Sequence, residues 1–243
     1  MHTSVIIIPT YNEIENISKM VQAIINLEDE FHILFVDDNS PDGTAEQINK
    51  EIEKYPNRIF LESRTGKLGL GTAYIHGFKW ALKRKFDFIF EMDCDFSHDP
   101  KDLSRMLKVV ENEADLCIGS RYVRGGKVKN WPLGRILMSY FASVYVRLIL
   151  LINIKDTTAG FKCYRKEVLS NINFDVIQFK GYAFQICMKY AALKLGYRIK
   201  EIPITFVDRL YGESKMSTGI FKEAFFGVWK MRKISYKNEK NSN

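Results

Sequence analysis

Two carboxylates one residue apart, Asp93 and Asp95, close the apolar run within residues 86–100, FDFIFEMDCDFSHDP. On an extended backbone, residues two apart point to the same side, so this pair can converge on one cation. Hard divalent ions such as magnesium or manganese take oxygen ligands of this kind, usually together with substrate phosphates. An isolated Asp-x-Asp is also common in solvated acidic turns, so its chemistry depends on its setting. Other chemistry-bearing residues recur in comparable places. Tyr11 and Glu13 follow the apolar residues 5–8, and Asp37 and Asp38 follow 33–36. Basic residues follow later runs: Arg121 in GSRYVRGG, then Arg209 and Lys215 in DRLYGESK. Arginine grips phosphate as a planar fork, lysine as a point charge.

Those positions make sense if several strands end on one rim. Residues 5–8 read as a buried strand stopped by Pro9, after which Ile14, Ile17, Val21 and Ile24 recur at helical spacing. Residues 33–36 repeat the pattern, with DDNSPDGT as a dense turn signal and Ala45, Ile48 and Ile52 on the next helix. A third strand near 58–61 leads through GKLGLGTA into a helix carrying Ala73, Phe78 and Ala81. The fourth strand delivers Asp93 and Asp95, with Asp99 as N-cap and Pro100 in the first turn of the following helix. A fifth strand spans 114–119, FKCYR is another, 183–195 is a helix stopped by Gly196, and IKEIPITFVD alternates as one strand. Alternation of this kind specifies an α/β fold, a mostly parallel doubly wound sheet, and ligands then bind beyond the carboxyl ends of the strands. So many carboxylates on one rim repel unless donors or a metal meet them. Asp38 suits hydrogen bonds to a base or ribose. GKLGLGTA is neither a P-loop nor a full GxGxxG, and its glycines serve equally for close packing at a helix start. His76 and His98 have no partner at metal-ligand spacing, and no HExxH, CxxC or nucleophile elbow is present.

The chain of 243 residues suits one large domain or a domain with an extension, and its net charge of +7 calls for an anionic partner. RNA-binding aromatic motifs and helix-turn-helix patterns are absent, so nucleic acid is not expected. Four dispersed cysteines, Cys94, Cys117, Cys163 and Cys187, read as reduced thiols in a cytosolic setting, and no charged leader opens the chain, which argues against secretion. Residues 133–153 are strongly apolar but carry Arg147, which favours an amphipathic helix at a bilayer surface over a core helix or a true span. Residues 218–237 form a basic amphipathic helix, with Ile220, Phe221, Ala224, Phe225, Val228 and Trp229 on one face and Lys222, Lys230, Arg232 and Lys233 as charge. Residues 238–243 read as a disordered tail.

The ordered set PTYNE, VDDNSPDGT, GLGTAYIHG, MDCDFSH, GSRY, GYAFQ and FVDRLYGESK resembles the polyprenol (dolichyl) phosphate mannose synthases among the family-2 glycosyltransferases. The resemblance runs from residue 4 to 217 and makes 1–217 the catalytic domain. It implies a glycosyltransferase-A fold with added interface helices, GDP-mannose as donor, a dolichyl or undecaprenyl monophosphate as acceptor, and Mg2+ or Mn2+. By position it implies that Pro9, Tyr11, Glu13, Val36 and Asp38 hold the guanosine, with Asp93, Cys94 and Asp95 around ribose, phosphate and metal. Asp95 becomes the preferred metal ligand and Ser97 a weaker one. Arg121, Arg135, Arg209 and Lys215 bind the phosphates of donor and acceptor, and Asp93, Asp95, Arg121 and Arg209 form the catalytic set. Some relatives have Gln where Ser97 stands. Some also carry C-terminal membrane spans where this chain has a basic helix, which favours peripheral attachment to the cytoplasmic face and leaves open a separate membrane-protein partner. The chemistry is consistent with the residues. A phosphate monoester, with a second pKa of about 6, is already an anionic nucleophile near neutrality, so inverting displacement to a β-linked product needs no strong general base. The competing readings are transfer of glucose or N-acetylhexosamine from a UDP-sugar to a lipid phosphate, and a non-catalytic membrane-peripheral nucleotide-sugar-binding protein.

Overall fold

Residues 5–8 form the middle of β1 (Ser4–Thr10), fully buried on both faces, in a computed structural model that describes residues 2–179, 181–208 and 218–238. A strand covered on both faces belongs inside a parallel sheet. β1 pairs in parallel with β2 (Phe31–Asp37) on one side and β4 (Phe88–Glu91) on the other, and β3 (Ile59–Ser63) extends the sheet beyond β2. The far half differs. β7 (Lys162–Arg165) inserts antiparallel between β4 and β5 (Leu116–Ser120), and β8 (Ile199–Pro203) then pairs in parallel with β5. The order is β3-β2-β1-β4-β7-β5-β8, so the sheet is mostly parallel with one reversed strand.

The two-residue period of β1 sorts its side chains between two cores. Val5 and Ile7 pack in a cluster with Tyr74 and Phe78 of α3 (Leu70–Lys83) and with α7 (Tyr182–Lys194). Ile6 and Ile8 face α1 (Ile14–Ile25) and α4 (Asp102–Asn112) through Ile17, Met20 and Met106. α2 (Thr44–Lys54) packs beside α1, which puts helices on both faces as expected.

Three local expectations change. α4 begins at Asp102, because Asp99 and Pro100 form a separate turn in which Asp99 Oδ1 accepts from the Lys101 amide at 3.0 Å. The single strand expected over 199–208 divides at Ile204 into β8 and a short β9 (Thr205–Val207), which pairs with β6 (Lys127–Lys129) in a separate two-stranded sheet. Pro203 supplies no N–H at that point, and the chain leaves the main sheet there. A short α6 (Lys166–Asn171) and a 3-10 turn at Phe174–Val176 carried no periodic signal. The glycines of GKLGLGTA do entry and packing work. Gly69 has φ +105°, and a Cβ on Gly71 would lie 2.6 Å from the Phe179 carbonyl oxygen.

α5 (Leu133–Leu150) is, among the described residues, the one helix long and apolar enough to cross a membrane, yet only Ser143, Val146 and Leu150 are buried. α8 (Thr218–Met231) packs Val228 and Met231 inward against the α7 layer and leaves Phe225, Phe226 and Trp229 exposed. The two helices meet at Tyr145, whose ring stacks on Phe225 at 4.7 Å and whose hydroxyl accepts from Trp229 Nε1 at 3.0 Å. Ile220, Phe221, Lys222 and Ala224 have side chains outside the described set. Asn238, read as the start of the tail, donates its amide to the Asn171 carbonyl at 2.9 Å, and 239–243 lie outside the described residues.

Asp42 joins the starts of two helices, accepting from the Ile14 amide at 3.2 Å and from the Thr44 amide and hydroxyl at 3.0 and 2.6 Å. Burial pushes this carboxyl up, but the Thr44 hydroxyl and the two amides outweigh it and hold its pKa below the usual value. A depressed carboxylate adds stability above its unfolded pKa, and that stability is lost as pH falls through the folded pKa. Asp42→Asn should therefore lower stability by about 1 kcal/mol at neutral pH. In urea unfolding, the gap to wild type should begin to narrow below the ordinary carboxylate value of about 3.9 and close as pH falls through the lower folded value.

Candidate active site

The carboxyl ends of β1, β2 and β4 lie side by side, with Pro9 in register with Val36 and Thr10 with Asp37. The neighbouring acids of β2 have different tasks. Asp37 is buried and accepts from Thr10 Oγ1 at 2.9 Å, Ser40 N at 2.9 Å and Ser40 Oγ at 2.6 Å, so it closes the turn rather than serving the rim. Asp38 is buried beside Arg64, whose Nε donates to Oδ1 at 2.6 Å. Tyr11 is half-buried under Lys67, whose Nζ stands 4.7 Å from the ring centroid. Glu13 accepts from Asn16 Nδ2 at 2.8 Å at the start of α1. Val36 and Cys94 point their side chains into the core, so only their backbones can line a nucleotide pocket.

β4 ends at Glu91, and the Met92 amide carries the pairing one residue further, to the Ile7 carbonyl at 3.2 Å. Alternation nonetheless persists: Asp93 and Asp95 are half-buried and Cys94 between them is buried. Tyr74 OH donates to Asp93 Oδ1 at 3.4 Å, and the Ser97 amide donates to Asp95 Oδ1 at 3.0 Å. Burial, reinforced by Asp93, pushes the Tyr74 phenol well up, so it stays a donor. Burial likewise raises the Cys94 thiol and keeps it protonated. His98 is stacked on Phe161 at 4.9 Å and meets Phe206 edge-on at 5.4 Å, and burial pulls its imidazole down to about 4. It is a neutral packing residue behind Asp93. Ser97 is buried and its carbonyl accepts from Val207 N at 3.2 Å. The Asp93 and Asp95 carboxylates are donors of the type that hard divalent cations take. Among the described residues, no group of three or more His, Cys, Asp or Glu forms a closed protein cage.

The basic side lies across from these acids. Arg121 is buried, and its amide, Nε and Nη2 donate to the fully buried Asp156 carboxylate at 2.9, 2.7 and 2.6 Å. Nη2 also donates to Thr158 Oγ1 at 2.8 Å. Burial opposes the guanidinium charge, but Asp156 outweighs it and raises the Arg121 pKa. Burial likewise pushes the Asp156 carboxyl up, but Arg121 outweighs it and lowers the pKa. Arg135 stacks on Trp131 at 4.0 Å and pairs with Asp208 at 3.1 Å. Arg121 and Arg135 are the charged walls of a cavity of about 490 Å³, otherwise lined largely by apolar groups of α5, α7 and α8 such as Phe141, Tyr145, Ile186 and Phe225. Phe206 links the two sides, 5.5 Å from the Arg121 guanidinium and in contact with His98. Arg209 and Lys215 lie outside the described residues. Sequence reading missed Asp156 and Arg64, whose roles depend on partners 35 and 26 residues away.

A mostly parallel sheet with one reversed strand and an acidic rim at its carboxyl end is the layout of a glycosyltransferase-A fold. The chain belongs to glycosyl transferase family 2, which matches residues 5–172, and it is a glycosyltransferase. It is 46% identical over 231 residues to a polyprenol monophosphomannose synthase of Mycolicibacterium smegmatis, covering 94% of this chain and 87% of that protein. It is 47% identical over 222 residues to an undecaprenyl-phosphate mannosyltransferase of Micrococcus luteus, covering 91% and 90%. Among solved structures, glucosyl-3-phosphoglycerate synthase from Mycobacterium tuberculosis with Mn2+, UDP and glucosyl-3-phosphoglycerate superposes with a TM-score of 0.70 at 15% identity, covering 96% of this chain and 81% of that one. The resemblance seen in the motifs is thus upheld at the level of family and fold.

Removing one partner of a buried ion pair leaves an uncompensated charge. Asp156→Ala should cost roughly 3–5 kcal/mol in urea unfolding, far more than a surface carboxylate substitution.

Proposed function

We propose that this enzyme transfers mannose from GDP-mannose to a polyprenyl monophosphate, giving a β-linked mannosyl phosphate by single inverting displacement. The observation that carries the reading is the cavity beside the acidic rim, apolar over most of its wall and charged through Arg121 and Arg135. That combination suits an acceptor with an isoprenoid tail and an anionic head. The mannosyltransferase names of the two relatives agree with it.

In this reading the guanosine lies against Pro9, Tyr11, Glu13, Val36 and Asp38, with the Val36 contact made by backbone. Asp93 and the Cys94 backbone border the ribose and diphosphate. Asp95 holds Mg2+ or Mn2+, with Ser97 a weaker ligand, and the ion when bound supplies Lewis-acid stabilisation of the charge on the departing diphosphate. Arg121 and Arg135 orient the acceptor phosphate, and Arg209 and Lys215 add positive charge around the two phosphate groups. The acceptor is an anion before it reacts, so no side chain has to remove a proton from it. Exposed Leu137, Phe141 and Leu148 of α5 and Phe226 and Trp229 of α8 rest in the cytoplasmic surface of a membrane, where the lipid acceptor resides. A separate membrane protein can share that face.

Incubation with GDP-mannose, a polyprenyl phosphate and manganese should yield mannolipid. EDTA should abolish it, and Asp95→Ala should lower kcat about 10²-fold or more. Transfer from UDP-glucose but not from GDP-mannose would overturn the donor assignment. Membrane contact is checked separately by flotation with anionic vesicles at low salt. The wild type should float, Phe141→Asp with Leu148→Asp should sink, and a wild type that sinks removes the peripheral attachment.

A further inference from the structure

Arg64 stands where three segments of the nucleotide side converge, and no step above uses it. Its amide donates to the Asp37 carbonyl at 2.8 Å, which ties the end of β3 to the end of β2. Its side chain is 7% exposed and reaches Asp38, itself 10% exposed, with Nε and Nη2 at 2.6 and 2.5 Å from the same oxygen, Oδ1. Nη1 turns the other way and donates to Thr72 Oγ1 at 2.8 Å, and that hydroxyl donates to the Gly69 carbonyl at 2.7 Å at the entry of α3. One planar group therefore locks a carboxylate on one side and a helix start on the other. Lys67, three residues on, covers the Tyr11 ring and places the same turn over β1's end.

We infer that Arg64 is a positioning residue for donor recognition: it fixes the Asp38 carboxylate with Oδ1 occupied and Oδ2 presented to the N–H edge of the nucleoside base. The inference rests on the placement of the nucleoside at Asp38 in the proposed function. A buried carboxylate without a cation would take up a proton or turn toward other donors, and either change removes the acceptor that a base N–H requires. With both contacts on Oδ1, the guanidinium neutralises the charge without covering the second oxygen. Lysine keeps the charge but cannot reach Asp38 and Thr72 together, because it lacks the rigid fork. The turn around GKLGLGTA thereby acquires a role distinct from holding phosphate: it supplies the wall that orients the base acceptor.

The test measures nucleoside diphosphate affinity by titration calorimetry, with GDP and UDP in parallel, and KM for donor and acceptor separately. Whichever nucleotide the wild type binds serves for the comparison, so an incorrect donor assignment does not touch this result. Arg64→Gln should weaken that affinity about tenfold and raise donor KM, with acceptor KM unchanged. Arg64→Lys should fall between it and the wild type, and Thr72→Val, which removes only the far contact, should weaken binding about threefold. If Arg64→Gln does not fold, the latter two variants carry the test. Folded variants with a lower melting temperature but nucleotide affinity within about twofold of wild type, or with donor and acceptor KM raised alike, overturn the inference.

Discussion

The ion pair between Arg121 and Asp156 is the constraint around which the catalytic half of the molecule is arranged. Both partners are withdrawn from water, so each is tolerated only because the other is there. Asp156 is held in turn: its amide and that of Lys155 donate to the Glu201 carboxylate on β8 at 2.9 and 2.7 Å. The following residues are held by Lys189, whose Nζ donates to the carbonyls of Thr157, Ala159 and Gln185. Thr157 also meets Ser143 of α5 at 3.3 Å. One buried carboxylate and its neighbours thus join the end of β5, the strand β8, helix α7 and helix α5. A pair of this kind contributes little net stability over an apolar replacement, but it defines where a guanidinium sits. With Nε and Nη2 committed to Asp156, the direction of the Arg121 guanidinium at the cavity wall is fixed by the protein itself.

A second buried pair supports the acidic side. Glu91, the last residue of β4, lies 3.0 Å from Lys162 of the reversed strand β7, both fully buried, and accepts from Tyr164 OH at 2.8 Å. Lys162 also donates to Gln185 of α7. Burial lowers the Lys162 pKa, and Glu91, with a smaller part from Asp93, opposes that pull. The reversed strand therefore does more than fill the sheet. It brings a buried lysine against the last residue of β4 and ties that strand end to α7 through Gln185.

Much of this was legible one strand at a time. Apolar runs ending in polar residues marked β1, β2 and β4, and the parallel rule put their carboxyl ends together. The separation of Asp37 from Asp38 was not legible, because which of two adjacent acids turns inward depends on Thr10 and Ser40, on a different strand and beyond the turn. The reversed strand was also hidden: FKCYR reads the same in either direction, and strand direction follows from the connection through Asp156 and not from composition. Buried lysines are harder still. α7 is buried along Ala183 to Ala192, with no polar face to warn that Lys189 points inward. Arg64 sits just before a stretch read for its glycines, and its partners come from the end of β2 and the start of α3.

In α5 the pattern favoured a surface helix through Arg147 alone. An apolar helix of its length can serve as core, span or surface, and what separates them is how much of it the rest of the chain covers. Here α8 covers a strip through Tyr145, Phe225 and Trp229, while Leu133, Phe141 and Leu148 stay outside. A monomer seldom leaves so continuous an apolar face in water. The same two helices also wall the cavity that ends at Arg121 and Arg135. Apolar surface on the outside and apolar cavity on the inside are thus two faces of one pair of helices. A molecule that buries the first in lipid places the second within reach of a lipid tail, with its anionic head drawn toward the fixed guanidinium of Arg121.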